Sequence, residues 1–311
     1  MRVTRSTWRD GLCKGISTTW SLSRIIFPVT LLISVLKYTP VIGWIADLLT
    51  PVIGILGLPG ECAVILVLGN LLNLYAAVGA IAAMQLTVKS VFILAVMLSF
   101  SHNLLVETSI STRIGVNPVF IACLRLGIAV SMALGINLVW SGGQEMAKFG
   151  LIVSSNQALS GWPEICIQAV KIAGLAVLQV AVIVIPIMVF IQVLKDINAI
   201  ARLSGVLKPF TRAIGVDDKT GIPLMAGIMF GIAYGAGVII QTAKEENLGK
   251  KDLYLATIFL VSCHAVVEDT LVFLPLGINV VYLLLIRIAF ALIVTVFMSR
   301  LWKKGFASGR E

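Results

Sequence analysis

The sequence predicts an all-α polytopic membrane protein built from two homologous halves. Hydrophobic residues fill 59% of the 311 positions, charged residues fill 13%, and the mean hydropathy is +1.01. A soluble domain carries about 25% charged residues. Several apolar windows reach the roughly 20 residues that a transmembrane helix needs. The scarce polar residues recur in two copies along the chain, which indicates an internal repeat.

The repeat is clearest around the only two histidines of the chain, His102 and His264. Each closes an apolar run and is followed by a carboxylate and a hydroxyl, within residues 101–108 and 263–270. The offset between them (264 − 102 = 162) also pairs Gly115 with Gly277, Asn117 with Asn279, Arg125 with Arg287 and Trp140 with Trp302. Upstream the offset is 158 (186 − 28), pairing Pro28 with Pro186, Gly69 with Gly227 and Gly79 with Gly237. The second copy therefore has extra residues, which we place in the polar loop 244–252.

The apolar runs divide the chain into five predicted parts. These are an amphipathic interfacial segment (1–24), the first repeat (25–140), a linker (141–166), the second repeat (167–302) and a cytoplasmic tail (303–311). Each repeat contains about four spans, near 25–38, 62–85, 89–107 and 118–140, and near 167–194, 221–242, 253–272 and 278–301. Prolines and glycines interrupt residues 40–60, so we expect a broken, re-entrant or interfacial segment there, with a counterpart in the second repeat.

The number of spans decides how the repeats are related. Four spans in each half would make parallel repeats. However, the basic residues between 195 and 219 would then lie outside, against the positive-inside rule. Inverted repeats, with an odd number of crossings per half, are the alternative.

The net charge of +9 comes with basic residues grouped at both ends of the chain. Such groups beside spans report orientation, so we expect both termini in the cytoplasm and no nucleic-acid partner. The five cysteines are an odd number without CxxC spacing, which predicts neither a disulfide framework nor a zinc site.

The candidate site is a set of ionisable residues inside the spans. A hairpin whose turn is centred near Arg113 places His102 and Arg125 at similar depth, with Glu107 nearer its mouth; the second hairpin repeats this with His264 and Arg287 and with Glu268 and Asp269. Because intramembrane charges are costly, they usually mark a pathway, a proton relay or a ligand site. A relay, a cation site or an anion clamp are all open. The structural alternative is that Arg125–Glu107 and Arg287–Asp269 pairs only neutralise each other.

Three further features bear on the site. Gly227, Gly231 and Gly235 are spaced by four residues and permit either close helix packing or an unwound backbone. Asn73 and Tyr234 are candidates for substrate selectivity, since the two halves differ there in polarity. Cys263 beside His264 suggests a soft metal, but its counterpart is Ser101, so we expect no metal site and no cofactor. No P-loop, nucleophile elbow or HExxH motif occurs, so no enzyme activity is expected.

Two segments resemble a known family. Residues 231–240 (GIAYGAGVII) and 264–270 (HAVVEDT) are similar to the bacterial nucleoside-recognition (Gate) domain proteins. Related domains occur in concentrative nucleoside transporters, in ferrous-iron transport protein B and in sporulation maturation proteins. The resemblance spans about 27–140 and 185–302 and implies two Gate-type repeats in a multi-pass protein of the bacterial inner membrane.

The expected function is a secondary transporter or permease. A small polar or anionic solute would pass a site between the two repeats, which would rock about it, and protonation of a histidine–carboxylate pair would couple a proton gradient to its movement. The two arginines favour an anionic solute. Alternatives are a non-transporting membrane scaffold or accessory subunit, with all charges paired and no cavity, and a flippase for phosphate-bearing lipids, with a lateral opening at Arg125 or Arg287. Membrane lipids and a second copy of the chain are the expected partners.

Overall fold

The structure is a computed structural model that describes residues 3–150, 161–197, 199, 203 and 205–307. In the first half the helices are α1 (Arg5–Leu36), α2 (Pro40–Ile53), α3 (Cys62–Leu71), α4 (Leu74–Ala83), α5 (Val88–Ser101), α6 (Leu104–Ile114) and α7 (Pro118–Val139). The second half has α8 (Trp162–Asp196), α9 (Lys208–Ile214), α10 (Gly221–Glu245), α11 (Lys250–Ser262), α12 (Val266–Leu271) and α13 (Val280–Ala307). The described residues form helices and no named strand, as expected of an all-α membrane protein.

Six segments of the described chain are long and apolar enough to cross a membrane, three in each half. They are α1, α5 with α6, α7, α8, α11 with α12, and α13. The remaining two expected spans, near 62–85 and 221–242, are each broken in the middle. Each repeat therefore has three segments able to cross the membrane and one that is broken in its middle. Residues 40–60, where the sequence predicts the broken, re-entrant or interfacial segment, instead contain the 14-residue helix α2 and a short helical turn at 54–56.

The first crossing of each half is a long helix, and these two helices pair with each other. Helix α1 runs without interruption through the predicted interfacial segment and the first span, and at 1.5 Å per residue it is about 48 Å long. Gly11 of α1 packs on Val189 and Gly15 packs on Ile185 of α8. Residue numbers increase along α1 in the direction in which they decrease along α8, so the two helices are antiparallel. The two glycines let the amphipathic start of α1 pack closely against α8. This packing supports one continuous helix from Arg5 to Leu36.

The broken segments are re-entrant hairpins. Helices α3 and α4 fold back on each other around Leu72 and Asn73, and a methyl group placed at Gly69 would lie 3.0 Å from the Ala77 side chain. In α10 the chain turns at Gly231, whose φ of 78° and ψ of 171° are not helical. A methyl group at Gly235 would lie 3.2 Å from the Ala226 carbonyl oxygen, which brings arms 221–230 and 232–245 together. Each hairpin thus leaves on the side by which it entered.

The three crossings per half make the repeats inverted. The described part of the linker contacts the start of α5, where Lys89 N–H donates to Gly143 and Val88 N–H donates to Glu145. We call this end of the bundle the linker side. We call the opposite end the terminal side. There the ring of Tyr254 at the start of α11 lies 5.5 Å from the ring of Trp302 near the end of α13. Helix α5 therefore begins on the linker side and its counterpart α11 begins on the terminal side, so the parallel arrangement that a count of four spans predicts is wrong.

The inverted arrangement resolves the conflict with the positive-inside rule. Lys14 donates to Gln192 over 2.6 Å, which places the beginning of α1 beside the end of α8. Lys195, Lys208 and Lys219 follow on that same terminal side, together with the last turns of α13. Among the described residues, Arg5, Arg9 and Lys14 near the start of α1, Arg300 near the end of α13, and Lys195, Lys208 and Lys219 are consequently on one side.

The crossing helices α5–α6 and α11–α12 form the interior of the bundle. Each is interrupted halfway, at His102–Asn103 and at Cys263–Ala265, and Asn103 and Ala265 have left-handed φ values of 52° and 41°. The re-entrant hairpin of the same half secures each break: Asn103 N–H donates to Gly69 over 3.0 Å, and Ala265 N–H donates to Gly227 over 3.0 Å. Helices α7 and α13 cover this core and leave much of their apolar surface exposed.

Candidate functional site between the two repeats

The two helix breaks bring the two histidines face to face at the centre of the molecule. The rings of His102 and His264 have centroids 5.2 Å apart and are tilted by 40°. Both side chains are almost completely buried. Their Nδ1 atoms lie 2.6 Å and 2.7 Å from the carbonyl oxygens of Leu98 and Leu260. Since a carbonyl only accepts, Nδ1 carries the proton and Nε2 of a neutral ring is left with its lone pair.

Both Nε2 atoms face carboxylates, and the contacts cross between the halves. Glu107 Oε1 lies 3.1 Å from Nε2 of His264 and 3.6 Å from Nε2 of His102. Asp269 Oδ2 lies 3.7 Å and 4.0 Å from the same two nitrogen atoms. Glu107 and Asp269 are equivalent positions in the repeat (269 − 107 = 162). Two imidazoles and two carboxylates, one pair from each half, therefore surround one point.

Each of the two arginines forms an ion pair with one of the two carboxylates. Arg125 lies 2.8 Å from Glu107 Oε2 and donates to the carbonyls of His102 and Phe100 over 2.6 Å and 2.7 Å. Arg287 lies 3.0 Å from Asp269 Oδ2 and donates to the His264 carbonyl over 2.6 Å. Both arginines are 0% exposed. They neutralise the carboxylates and satisfy carbonyl groups that the helix breaks leave without an intrahelical partner.

A cavity of about 210 Å³ reaches this centre, and all four breaks contribute to its wall. The wall includes Asn73, Tyr75, His102, Asn103, Glu107, Gly231, Ala233, His264, Ala265, Glu268 and Asp269. The cavity is small but has room for water, since one water molecule needs at least about 10–15 Å³. It suits an ion or a small solute, since pockets for larger organic ligands usually span about 300–1,000 Å³. Neither arginine lies in the wall.

The structure brings together the predicted residues but changes their partners. His102 and Arg125, which the sequence predicts at similar depth, are joined by a hydrogen bond from Arg125 to the His102 carbonyl. Glu107 and Asp269 were expected nearer the mouth, yet they are buried at the level of the histidines, because the breaks redirect α6 and α12. The spacing of His264 and Glu268, four residues apart, would place them on one face of a continuous helix, but the left-handed Ala265 interrupts the helix between them.

Glu268 has a partner that the sequence did not suggest. Its Oε1 accepts a 2.5 Å hydrogen bond from the hydroxyl of Tyr75, and both side chains are buried. The repeat offers no equivalent pair, since Ala233 stands at the position of Tyr75 (233 − 75 = 158) and Val106 at that of Glu268 (268 − 106 = 162). The hydroxyl of Tyr75, the one polar side chain in the sequence of α4, was the available signal for this contact.

The remaining candidates divide between structural and cavity positions. Asn73 lines the cavity and accepts a hydrogen bond from Ala76 N–H, capping α4. The side chain of Tyr234 lies outside the described part of the structure. Of the three spaced glycines, Gly231 forms the unwound tip, whereas Gly227 and Gly235 allow close packing against Leu260 and Ala226. Both explanations of this spacing therefore hold, each at its own positions.

Inverted repeats, re-entrant hairpins and broken helices around a central polar cavity define a membrane protein with transporter architecture. The chain belongs to the Gate family, whose model is described as nucleoside recognition and matches residues 19–122 and again 177–279. The two matches confirm the resemblance and the two repeats that the sequence predicts. The chain is 49% identical to the uncharacterized membrane protein YvoD of Bacillus subtilis over 294 residues, covering 94% of both chains. No solved structure matches the chain.

Proposed function

We propose that this Gate protein is a secondary transporter that moves a small polar or charged solute through the cavity between its repeats. The observation that carries the proposal is the meeting of four backbone breaks, two from each half, at one central cavity whose wall includes buried polar side chains. Transporters commonly bind substrate where unwound segments of inverted repeats meet near the middle of the bilayer. A protein without a transport role has no evident need to interrupt four helices at the same depth.

The asymmetry around the cavity supports alternating access. On the linker side the cavity is closed by the buried hydrogen bond between Tyr75 and Glu268. On the terminal side the equivalent positions are Ala233, which is exposed and lines the cavity, and Val106, which is 48% exposed. We infer a conformation that is open to the terminal side. Breaking the Tyr75–Glu268 contact while the second hairpin closes would give the opposite state.

The orientation in the membrane follows from charge. The terminal side carries the described basic residues of the first turns of α1, of the end of α13 and of the stretch 195–219. By the positive-inside rule we assign this side, and with it both termini, to the cytoplasm of a bacterial inner membrane. The described conformation would then face inward.

The arginines do not support the anionic solute that the sequence favoured. Each is buried, engaged with a carboxylate and a backbone carbonyl, and absent from the wall of the cavity. The same placement argues against a lipid flippase, which requires an opening at Arg125 or Arg287. The scaffold alternative requires fully paired charges without a cavity, whereas the cavity here reaches both histidines. Coupling to protons stays a prediction from the sequence.

Ligand-dependent stabilisation of the purified protein tests the proposal. The melting temperature would be measured with nucleosides, divalent metals, small anions and phosphate-bearing lipids, for the wild type and for His102→Ala/His264→Ala. A ligand that binds the folded state raises the melting temperature with its occupancy. We expect one class to do so only in the wild type, and to be taken up by proteoliposomes containing the protein. Absence of any shift and of any uptake would overturn the transporter and favour the scaffold.

A further inference from the structure

We propose that the point between His102, His264, Glu107 and Asp269 binds a divalent first-row transition-metal ion. This deepens the proposed function, on which it rests for the role of the ion as the transported solute. The donor atoms are Nε2 of both histidines, Oε1 of Glu107 and Oδ2 of Asp269. The two histidines and Asp269 already have their donor atoms within 4.8 Å of one another.

The histidine–carboxylate distances approach those around a coordinated ion. Metal–ligand bonds of about 2.0–2.1 Å in a tetrahedron place the ligand atoms about 3.3 Å apart. The four histidine–carboxylate separations are 3.1, 3.6, 3.7 and 4.0 Å, which bracket that value. The compact group is His102, His264 and Asp269; Glu107 lies within 3.6 Å of both histidines but outside that group, so the two carboxylates have to approach each other when the ion binds. Side-chain rotation at the helix breaks can supply such a movement.

The chemistry of the histidines points to a metal and away from a simple hydrogen-bond network. The backbone carbonyls hold Nδ1 as the protonated nitrogen, which is the arrangement that prepares Nε2 of a histidine for metal binding. His264 Nε2 is buried and faces the carboxylate oxygen atoms of Glu107 at 3.1 Å and of Asp269 at 3.7 Å, so a neutral ring sets its lone pair against theirs. A buried polar atom without a partner is costly. An ion placed between the four groups would provide that partner.

The surrounding residues define the class of ion. Two imidazoles with two carboxylates suit zinc, iron, cobalt or manganese, whereas magnesium and calcium prefer oxygen ligands alone. Arg125 contacts Oε2, the second oxygen atom of Glu107, whereas Arg287 donates to Oδ2 of Asp269 itself; both arginines hold the carboxylates in orientation, as outer groups do in metal sites. Their positive charge also moderates the affinity for a cation. Moderate affinity is what a transported ion requires, since it must be released.

This site does not involve Cys263. From the sequence, the mismatch between Cys263 and its counterpart Ser101 argues against metal binding. In the structure the thiol is absent from the cavity wall, and the donors are residues that the repeat preserves as His and His, and as Glu and Asp. The objection from the sequence therefore concerns a residue that the proposed site does not use.

Cobalt binding to the full-length purified protein tests the site. We expect one Co²⁺ per chain with visible absorption typical of tetrahedral nitrogen and oxygen coordination, displaced by Zn²⁺. Loss of a group that only supports a metal ligand lowers metal affinity by at least about 10-fold, and loss of the ligand itself should cost no less. Because H102Q/H264Q removes two ligands, its affinity should fall by at least about 100-fold. Cys263→Ser is the matched control, since it alters a buried neighbour of His264 and should bind cobalt as the wild type does.

Zinc X-ray absorption on the wild type provides a test that needs no variant. Scattering from two imidazoles without sulfur is expected. Stoichiometric binding lost in H102Q/H264Q, with an unchanged melting temperature for the unliganded variant, supports the site. No saturable cobalt binding by the wild type, equal binding by the histidine variant, or sulfur ligation in the zinc spectrum would overturn it.

Flux separates the site from the transport proposal. Zn²⁺ or Mn²⁺ uptake into proteoliposomes that is lost in H102Q/H264Q supports the ion as the transported solute. Stoichiometric binding without uptake of metal or of any other solute would leave a resident metal site and overturn the transporter. Uptake of an organic solute without saturable metal binding would overturn the metal site and leave the transporter intact.

Discussion

The two halves agree at their crossing helices and differ at their re-entrant hairpins. At the breaks of α5–α6 and α11–α12 the repeat keeps a histidine, a carboxylate and an arginine, with equivalent hydrogen bonds from Arg125 to His102 and from Arg287 to His264. At the hairpin tips, the repeat pairs Asn73 with Gly231 and Tyr75 with Ala233. The shared residues build the central site. The unequal residues determine which side of the site is closed.

The shared part predicts that the two arginines are energetically equivalent. Arg287→Met would leave Asp269 buried without its charge partner, and Arg125→Met would do the same to Glu107. Loss of one partner of a buried ion pair costs about 3–5 kcal/mol. We therefore expect each variant to lower the free energy of unfolding by a similar large amount, measured by thermal or denaturant unfolding in detergent.

Arg300→Met is the matched control, because Arg300 lies on the same helix as Arg287 and is exposed. It should change stability by no more than about 0.5 kcal/mol. A loss below about 1 kcal/mol in either Arg125→Met or Arg287→Met, where a buried pair should cost several times more, would contradict the equivalence of the halves.

The residues that differ between the two halves predict a gate on the linker side only. Tyr75→Phe removes the hydrogen bond to Glu268, and a hydrogen bond to a charged group contributes about 1.5–3 kcal/mol. The equilibrium between the two open states should shift by about 10-fold or more, at 1.4 kcal/mol per factor of ten. In a cysteine-free background, Ala233→Cys should react with a membrane-impermeant thiol reagent from the terminal side alone. Adding Tyr75→Phe should slow that reaction.

Tyr282→Phe provides the control for Tyr75→Phe, because the Tyr282 side chain is exposed away from the cavity. It should leave the rate of labelling unchanged. Equal labelling rates in the Tyr75→Phe and Tyr282→Phe backgrounds would remove the gating role from the Tyr75–Glu268 contact.

The smallest predicted effects compare the two hairpin tips directly. Gly231→Ala places a side chain at φ 78° and ψ 171°, a region that only glycine enters readily, at a cost of about 1–3 kcal/mol. Asn73→Ala removes only the cap of α4, at about 1 kcal/mol. The tip of the second hairpin should thus be the less tolerant one, as unfolding measurements on both variants would reveal.

Gly237→Ala serves as the reference for the hairpin tips. A methyl group there meets no atom within 4 Å, so the substitution should be neutral or stabilise the helix by up to about 1 kcal/mol. If Gly231→Ala were as well tolerated as Gly237→Ala, the sharp turn at Gly231 would not be required for folding.

The sequence alone determined the membrane class, the two repeats and the identity of the central polar residues. Composition fixes the first, because a chain this apolar has few alternatives to burial in lipid. The constant offset between scarce residues reveals the two repeats. The cost of charge inside a membrane identifies the central polar residues, His102, Glu107, Arg125 and their counterparts. None of these conclusions requires knowledge of how the chain is folded.

Only the tertiary structure decided the number of crossings, the inversion of the repeats and the pairing across the site. Hydropathy cannot distinguish a spanning helix from two arms that fold back, because both are equally apolar; the turn at Asn73 or Gly231 is set by backbone angles and packing. Pairing of His264 with Glu107 depends on two breaks meeting from opposite directions. Contacts between residues so distant in sequence are fixed by packing of the whole chain, which local spacing does not encode.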